Sequence, residues 1–210
     1  MSVDWALAAR EAYRAIAEAY EASRRRPLPT ADIANFGDKA LDLGSGRGAQ
    51  PPYLEASYRY VVHCDLAPEL VPRGSEAALC EATALPFRDG AFDVVHAVAV
   101  YHHLPPDVLG AAFAEALRVG GAVVATVWSL PGGGGAVRRV PWRWRGEALR
   151  VYYVYSLRDL ASAALAAGGR PVALGYMRRG RRLNAFAVVL RRKKLKRSDL
   201  RGAPVGAEAR

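Results

Sequence analysis

The chain has 210 residues, 51% of them hydrophobic, which suits one domain with a substantial core. No apolar run approaches the ~18 residues of a membrane span, and the two cysteines, Cys64 and Cys80, lack metal-ligand spacing. The net charge of +10 comes from 26 Arg and four Lys against 20 acids, and 18 of those cations fall in clusters at 24–26, 138–150, 178–182 and 191–197. A compositional preference for Arg explains the total but not the clustering, so a polyanionic partner is expected.

Residues 4–22 predict an amphipathic helix, with Trp5, Ala9, Tyr13, Ile16 and Tyr20 at spacings of three and four. The start mixes acids, Arg and Tyr with Ala, so no signal peptide is read and the cytoplasm is the expected compartment. "RRRPLPT" ends the helix, because two prolines cannot continue it, and a short helix follows through Ile33. Strands are predicted at 39–44, 60–65, 78–80, 92–100 and 121–128, with a helix at 107–118 between Pro106 and Gly120. Cys64 and Cys80 each precede the acid closing a strand; a disulfide is geometrically conceivable, and two buried reduced thiols are expected. Next comes "VPWRWRGEALRVYYVY" (140–155), where neither a period of two nor one of 3.6 persists. Its arginines and aromatics are groups that stack on bases and grip anions, and equally groups that pack a loop onto a surface. A helix at 157–168 and strands at 170–177 and 184–190, joined by "RRGRR", complete the pattern. Alternating strand and helix predicts an α/β fold, a mostly parallel seven-stranded sheet with an antiparallel hairpin at one edge. The domain spans 1–192, with a substrate loop at about 129–156, and a basic tail at 193–210 is expected to be disordered.

"LDLGSGRG" (41–48) ends the first strand. Gly44, Gly46 and Gly48 let backbone approach a ligand and turn sharply into a helix. The G-x-G-x-G spacing, with Asp42 two residues ahead of it, weighs against a dinucleotide fingerprint. Asp65 closes the second strand, where a carboxylate can accept both ribose hydroxyls, and Glu81 closes the third. In this order the three strand ends resemble the class I S-adenosylmethionine-dependent methyltransferases, whose fold is Rossmann-like. The resemblance implies that Asp42, Gly44, Gly46 and Gly48 bind the cofactor, the Gly-rich turn meeting its methionine part. It further implies that Asp65 and Leu66 hold the ribose, that Glu81 and Ala82 lie near the adenine, and that no metal is needed.

Five further segments narrow the resemblance: "SRRRPLP" (23–29), "VAVYHHL" (98–104), "TVWS" (126–129), "VPW" (140–142) and "YYVYSLRDL" (152–160). Taken in order they resemble the methyltransferases that esterify 5-carboxymethyluridine at the wobble position of tRNA. What this implies is a tRNA partner, often with a small zinc-binding activator subunit. It also implies that Arg24, Arg26, His102, His103 and Arg150 border the reacting groups, and that Trp128, Trp142, Tyr152 and Tyr153 meet the base. "RRGRR", with Arg178 and Arg179, is expected to reach RNA from the same side of the sheet, whereas "RRKKLKR" begins far from the chemistry. One departure stands out: where the family has Arg and His around the paired tyrosines, this chain has Val151 and Val154. A cation must replace that Arg, and the better-matching segment favours Arg24 over the shifted Arg150. A small-molecule O- or N-methyltransferase, or a noncatalytic RNA-binding protein of the same fold, are the rival readings.

Overall fold

The computed structural model describes residues 4–130, 134–179 and 182–192. The tail from 193, together with Gly180 and Arg181 of "RRGRR", lies outside the described residues. Seven strands form one sheet in the order β3-β2-β1-β4-β5-β9-β8. They are β1 (Lys39–Leu43), β2 (Tyr60–Asp65), β3 (Ala77–Leu79), β4 (Phe92–Val98), β5 (Gly120–Ser129), β8 (Gly169–Arg179) and β9 (Arg182–Arg191). The first five run parallel, and β9 inserts antiparallel between β5 and β8. This is the expected mostly parallel sheet with an edge hairpin.

Both faces of the sheet are covered, so the central strands are apolar on both sides, as parallel strands are. Val95, Ala97, Val123 and Ala125 face helices α5 (Pro106–Val119) and α6 (Leu157–Ala166), packing with Leu109, Phe113 and Leu160. Val94, Ala122 and Val124 face the other way, with Leu54 and Tyr58 from and just after α4 (Gln50–Ser57). The chain leaves β1 toward β2 and β3, then crosses back to β4 on its other side. That reversal opens a crevice at the carboxyl ends of β1 and β4, where open α/β sheets bind ligands.

Three features differ from expectation. The N-terminal helix is two helices, α1 (Trp5–Arg14) and α2 (Ala17–Ser23). The chain bends at Ile16 (φ −126°, ψ 13°), which swings that side chain into the interior at 1% exposure. The short helix expected through Ile33 is present as α3 (Thr30–Ile33). The aromatic stretch is a two-stranded antiparallel ribbon of β6 (Ala136–Trp142) and β7 (Ala148–Val154), pairing Val140 with Arg150 and Arg138 with Tyr152. Its period was hidden because the inward face of β7 carries Arg150 among Tyr152 and Val154. Pro141 is tolerated because each strand of the ribbon has an open side. Finally, Cys64 and Cys80 form a disulfide, their Cα atoms 5.7 Å apart, where reduced thiols were expected. Parallel pairing of β2 with β3 sets Cys64 beside Ala78, which brings the Cys80 side chain within reach.

Candidate active site

The Gly-rich turn is tied to the second strand, since the Gly44 and Ser45 amides donate to the Cys64 carbonyl at 2.7 and 3.1 Å. Gly44, Gly46 and Gly48 all have positive φ (66°, 56° and 139°). A Cβ on Gly44 would strike the Val100 side chain, and one on Gly48 would come within 2.9 Å of the Arg24 carbonyl oxygen. That carbonyl also accepts from the Ala49 amide at 2.9 Å, while Gln50 Oε1 accepts from the Leu28 amide. The turn and the 24–28 segment are therefore one packed unit. Gly48→Ala, strained in φ and pressed on Arg24, is expected to cost about 1–3 kcal/mol. Calorimetry should read this as a fall of about 2–4 °C in Tm per kcal/mol.

Asp65 is 8% exposed, and its two oxygens accept from the Gly46 and Ala67 amides at 2.9 and 3.0 Å. Burial, despite those bonds, raises its pKa to about 6, and the nearby Asp42 adds to the rise. A small cavity of about 90 Å³ opens there, walled by Gly44, Gly46, Asp65, Leu66, Cys80 and Ala82 and roofed by Trp5, Ala9 and Tyr13 of α1. These residues fit S-adenosylmethionine. Leu66 and Ala82 offer apolar walls to a flat ring, and the Asp65 carboxylate, with two of about four acceptor sites used, can still receive hydroxyls.

Three of the predicted cofactor residues do not line this cavity: Gly48, which packs on the Arg24 backbone, and Asp42 and Glu81. Asp42 is fully buried inside the sheet, its Oδ2 3.0 Å from His63 Nδ1, and borders neither cavity. His63 Nε2 reaches Glu55 at 3.1 Å; burial opposes its charge, but these two carboxylates carry its pKa up. Asp42 thus reaches the cofactor site only through its field on Asp65. Glu81 turns its carboxylate onto Thr83, accepting from both its amide and its hydroxyl, and only its neighbours Cys80 and Ala82 face the cavity.

A second cavity, about 620 Å³, adjoins the first and shares Tyr13, Tyr20, Gly44 and Ala99 as walls. Arg24, Arg25, Arg26, Arg47 and Arg150 line it, with His102, Trp128, Trp142 and Tyr152; among the described residues no Asp or Glu does. Arg150 is 7% exposed. Its Nη1 donates to the Tyr152 hydroxyl at 2.8 Å, and its guanidinium lies 5.0 Å from the Trp142 ring centre. Its Nε has no hydrogen-bond partner. Burying a cation without a counter-charge costs several kcal/mol, so this geometry asks for an anion.

The histidines divide between the cavities. His102 borders the large one and accepts the Trp128 amide on Nδ1 at 3.3 Å; His103 borders the small one, its Nε2 2.9 Å from the Tyr13 hydroxyl. Burial drives both pKa values down, that of His103 to about 3, so both rings are neutral at physiological pH. Arg24 stacks on Tyr20, 4.4 Å from its ring centre. Tyr153 is not brought to the site: adjacent strand residues face opposite ways, and it packs on the main core. Arg178 is exposed near the carboxyl edge and borders neither cavity, and the side chain of Arg179 lies outside the described residues. The sequence reading missed Tyr13 and Tyr20, whose helical spacing resembles core packing, and Arg47.

Residues 41–125 match the Methyltransferase domain family. Fold and match agree: residues 41–125 resemble a methyltransferase domain, they lie within a Rossmann-like sheet, and S-adenosylmethionine is the cofactor this implies. A Xenopus tropicalis tRNA (carboxymethyluridine(34)-5-O)-methyltransferase is 33% identical over 133 residues, which is 56% of this chain and 20% of that protein. A demethylmenaquinone methyltransferase of Beutenbergia cavernae is 32% identical over 162 residues, covering 73% of this chain and 62% of the relative. The chain thus spans a fifth to three-fifths of the lengths of these curated relatives. Among solved structures, the Burkholderia thailandensis 1,6-didemethyltoxoflavin-N1-methyltransferase with S-adenosylhomocysteine superposes with TM-score 0.71 at 21% identity, covering 90% of each chain. Among the described residues, no helix is long and apolar enough to cross a membrane.

Proposed function

We propose that this protein transfers a methyl group to the carboxylate of 5-carboxymethyluridine at the wobble position of tRNA, forming the methyl ester. The observation that carries the reading is Arg150, a buried guanidinium with an unpaired Nε, in an arginine-lined cavity beside the cofactor site. S-adenosylmethionine, held by Asp65 and the Gly-rich turn, supplies an electrophilic methyl group. The acceptor carboxylate is ionised at neutral pH, so no general base is required of the neutral histidines. Arg150 binds and orients that carboxylate with the planar fork suited to it. Trp142 and Tyr152 hold the guanidinium plane, Trp128 walls the base, and the roof from α1 excludes water. Alignment is the main catalytic contribution.

The longer match to a quinone methyltransferase favours a small-molecule acceptor, but a cavity lined by five arginines suits an apolar quinone poorly. The reading is tested with two tRNAs, one bearing 5-carboxymethyluridine and one bearing its amide, each assayed with the activator subunit that the family resemblance implies. Methylation of the acid alone is expected; equal transfer to both, or to neither, would refute the carboxylate acceptor.

A salt titration tests the RNA contact. Arg138, Arg139, Arg143 and Arg145 are exposed on the ribon of β6 and β7. If they meet phosphates, tRNA affinity falls steeply with salt, and each neutralised contact flattens the log–log slope by about 0.7–0.9. A slope unchanged in the fourfold Gln variant would assign the ribbon to solvent.

A further inference from the structure

Five buried side-chain polar atoms of the described residues lack a hydrogen-bond partner: Asp42 Oδ1, Ser45 Oγ, Arg47 Nε, His96 Nδ1 and Arg150 Nε. Three of them, those of Ser45, Arg47 and Arg150, belong to residues lining the large cavity. Orphaned buried donors each cost about 1–3 kcal/mol, so their grouping in one cavity points to a ligand. Arg150 accounts for one anion. Ser45 and Arg47 lie together in the Gly-rich turn, both absent from the walls of the small cavity, and so face the acceptor rather than the cofactor.

We propose that Ser45 and Arg47 form a second anion subsite, which takes a phosphate of the nucleotide whose base enters the cavity. The proposal rests on the nucleotide reading above and names a different contact. Glycines on both sides fix where residue 47 is presented, and Gly48 packs on the Arg24 backbone, which sets Arg47 beside the arginine-rich segment. The Arg47 side chain is only 13% exposed; its Nη2 reaches Glu21 at 3.1 Å, and that contact leaves Nε free for an acceptor. Glu21 itself lies outside the cavity wall. A carboxylate on Arg150 alone would leave the Ser45 hydroxyl and Arg47 Nε without an acceptor, whereas a carboxylate and a phosphate on one nucleotide engage all three orphaned donors. Tetrahedral phosphate suits a hydroxyl and a guanidinium converging from one loop.

The test is equilibrium binding, followed by tryptophan fluorescence, of uridine, its 5′- and 3′-monophosphates and inorganic phosphate to the protein saturated with S-adenosylhomocysteine. At least one monophosphate is expected to bind about tenfold or more tighter than uridine, which corresponds to ~1.4 kcal/mol. The isomer that gains identifies the phosphate, and the inorganic ion alone measures the subsite without the base. Arg47→Gln should erase the advantage while leaving uridine affinity within about twofold. Ser45→Ala, a smaller change, should reduce it in the same direction and guards against a folding defect in the first variant. Equal affinity of nucleoside and monophosphates, no monophosphate binding at millimolar concentration, or equal loss for both in Arg47→Gln would overturn the subsite. Failure of the carboxylate reading would appear elsewhere, as no gain of 5-carboxymethyluridine over uridine.

Discussion

Replacing Arg150 with Met is expected to slow single-turnover methylation of 5-carboxymethyluridine tRNA by about 100-fold or more, a loss of at least ~2.7 kcal/mol in transition-state stabilisation. The resemblance read from the sequence favours Arg24 for this role, because its segment matches the family better. Structure and sequence thus rank the two arginines differently. Arg24 is half-buried, stacked on Tyr20, and its carbonyl anchors the Gly-rich turn, whereas Arg150 is buried with an unpaired donor. Arg24→Ala is therefore expected to have the smaller effect on the chemical step. The family's Arg position, Val151, is half-buried on the opposite side of β7 from Arg150. A one-residue shift along a strand reverses the face, and the inward cation in this chain is Arg150. Arg150→Lys separates charge from geometry: if planar bidentate contact matters, Lys restores only a small part of the rate. Transfer at the wild-type rate in Arg150→Met would remove it from the site.

Asp65→Ala is expected to weaken S-adenosylmethionine binding by about 10- to 100-fold, from hydrogen bonds to a charged acceptor worth roughly 1.5–3 kcal/mol. Because Asp65 also accepts from Gly46 and Ala67, Asp65→Asn is the companion variant that keeps the shape. A pH dependence follows from the same residue. With its pKa raised to about 6 in the free protein by burial, Asp65 becomes protonated as pH falls through that value. A neutral carboxyl accepts more weakly than a carboxylate, so affinity should fall below about pH 6, where wild type protonates, and level off above it. Asp65→Asn should bind weakly at all pH values and lose that inflection. Titration calorimetry between acid and neutral pH reads both effects. Undiminished affinity in Asp65→Ala, or an inflection retained in Asp65→Asn, would count against the assignment.

Much of the fold is legible in the sequence because its signals are local. Apolar runs ending in Gly, Asp or Cys mark the parallel strands, Pro and Gly bracket α5, and the glycines at 44, 46 and 48 require the backbone angles that are found there. The neighbourhood of Asp65 and the Gly-rich turn is legible for the same reason, since a residue closing the second strand lies beside the turn that closes the first. The acceptor site is less so. Whether Tyr152 or Tyr153 faces it depends on which residues of β7 point inward, and an inward Arg obscures the alternation that would have told. Tyr13 and Tyr20 follow an apolar helical stripe, and only the bend at Ile16 and the packing of α1 over the turn make them cavity walls. Asp42 reads as a ligand contact from its motif, yet His63, one strand away in register, claims its carboxylate. These are tertiary facts, fixed by pairing between distant segments.

The most direct test of the central claim is the identity of the methylated product. Wobble nucleosides from 5-carboxymethyluridine tRNA, incubated with the protein, the activator subunit that the resemblance implies and isotopically labelled S-adenosylmethionine, would be digested and resolved by mass spectrometry. The expected product carries the labelled methyl as an ester, which mild alkali removes to regenerate the acid. A label that survives alkali on a ring atom or a ribose, or a label found only in small molecules, would contradict the account.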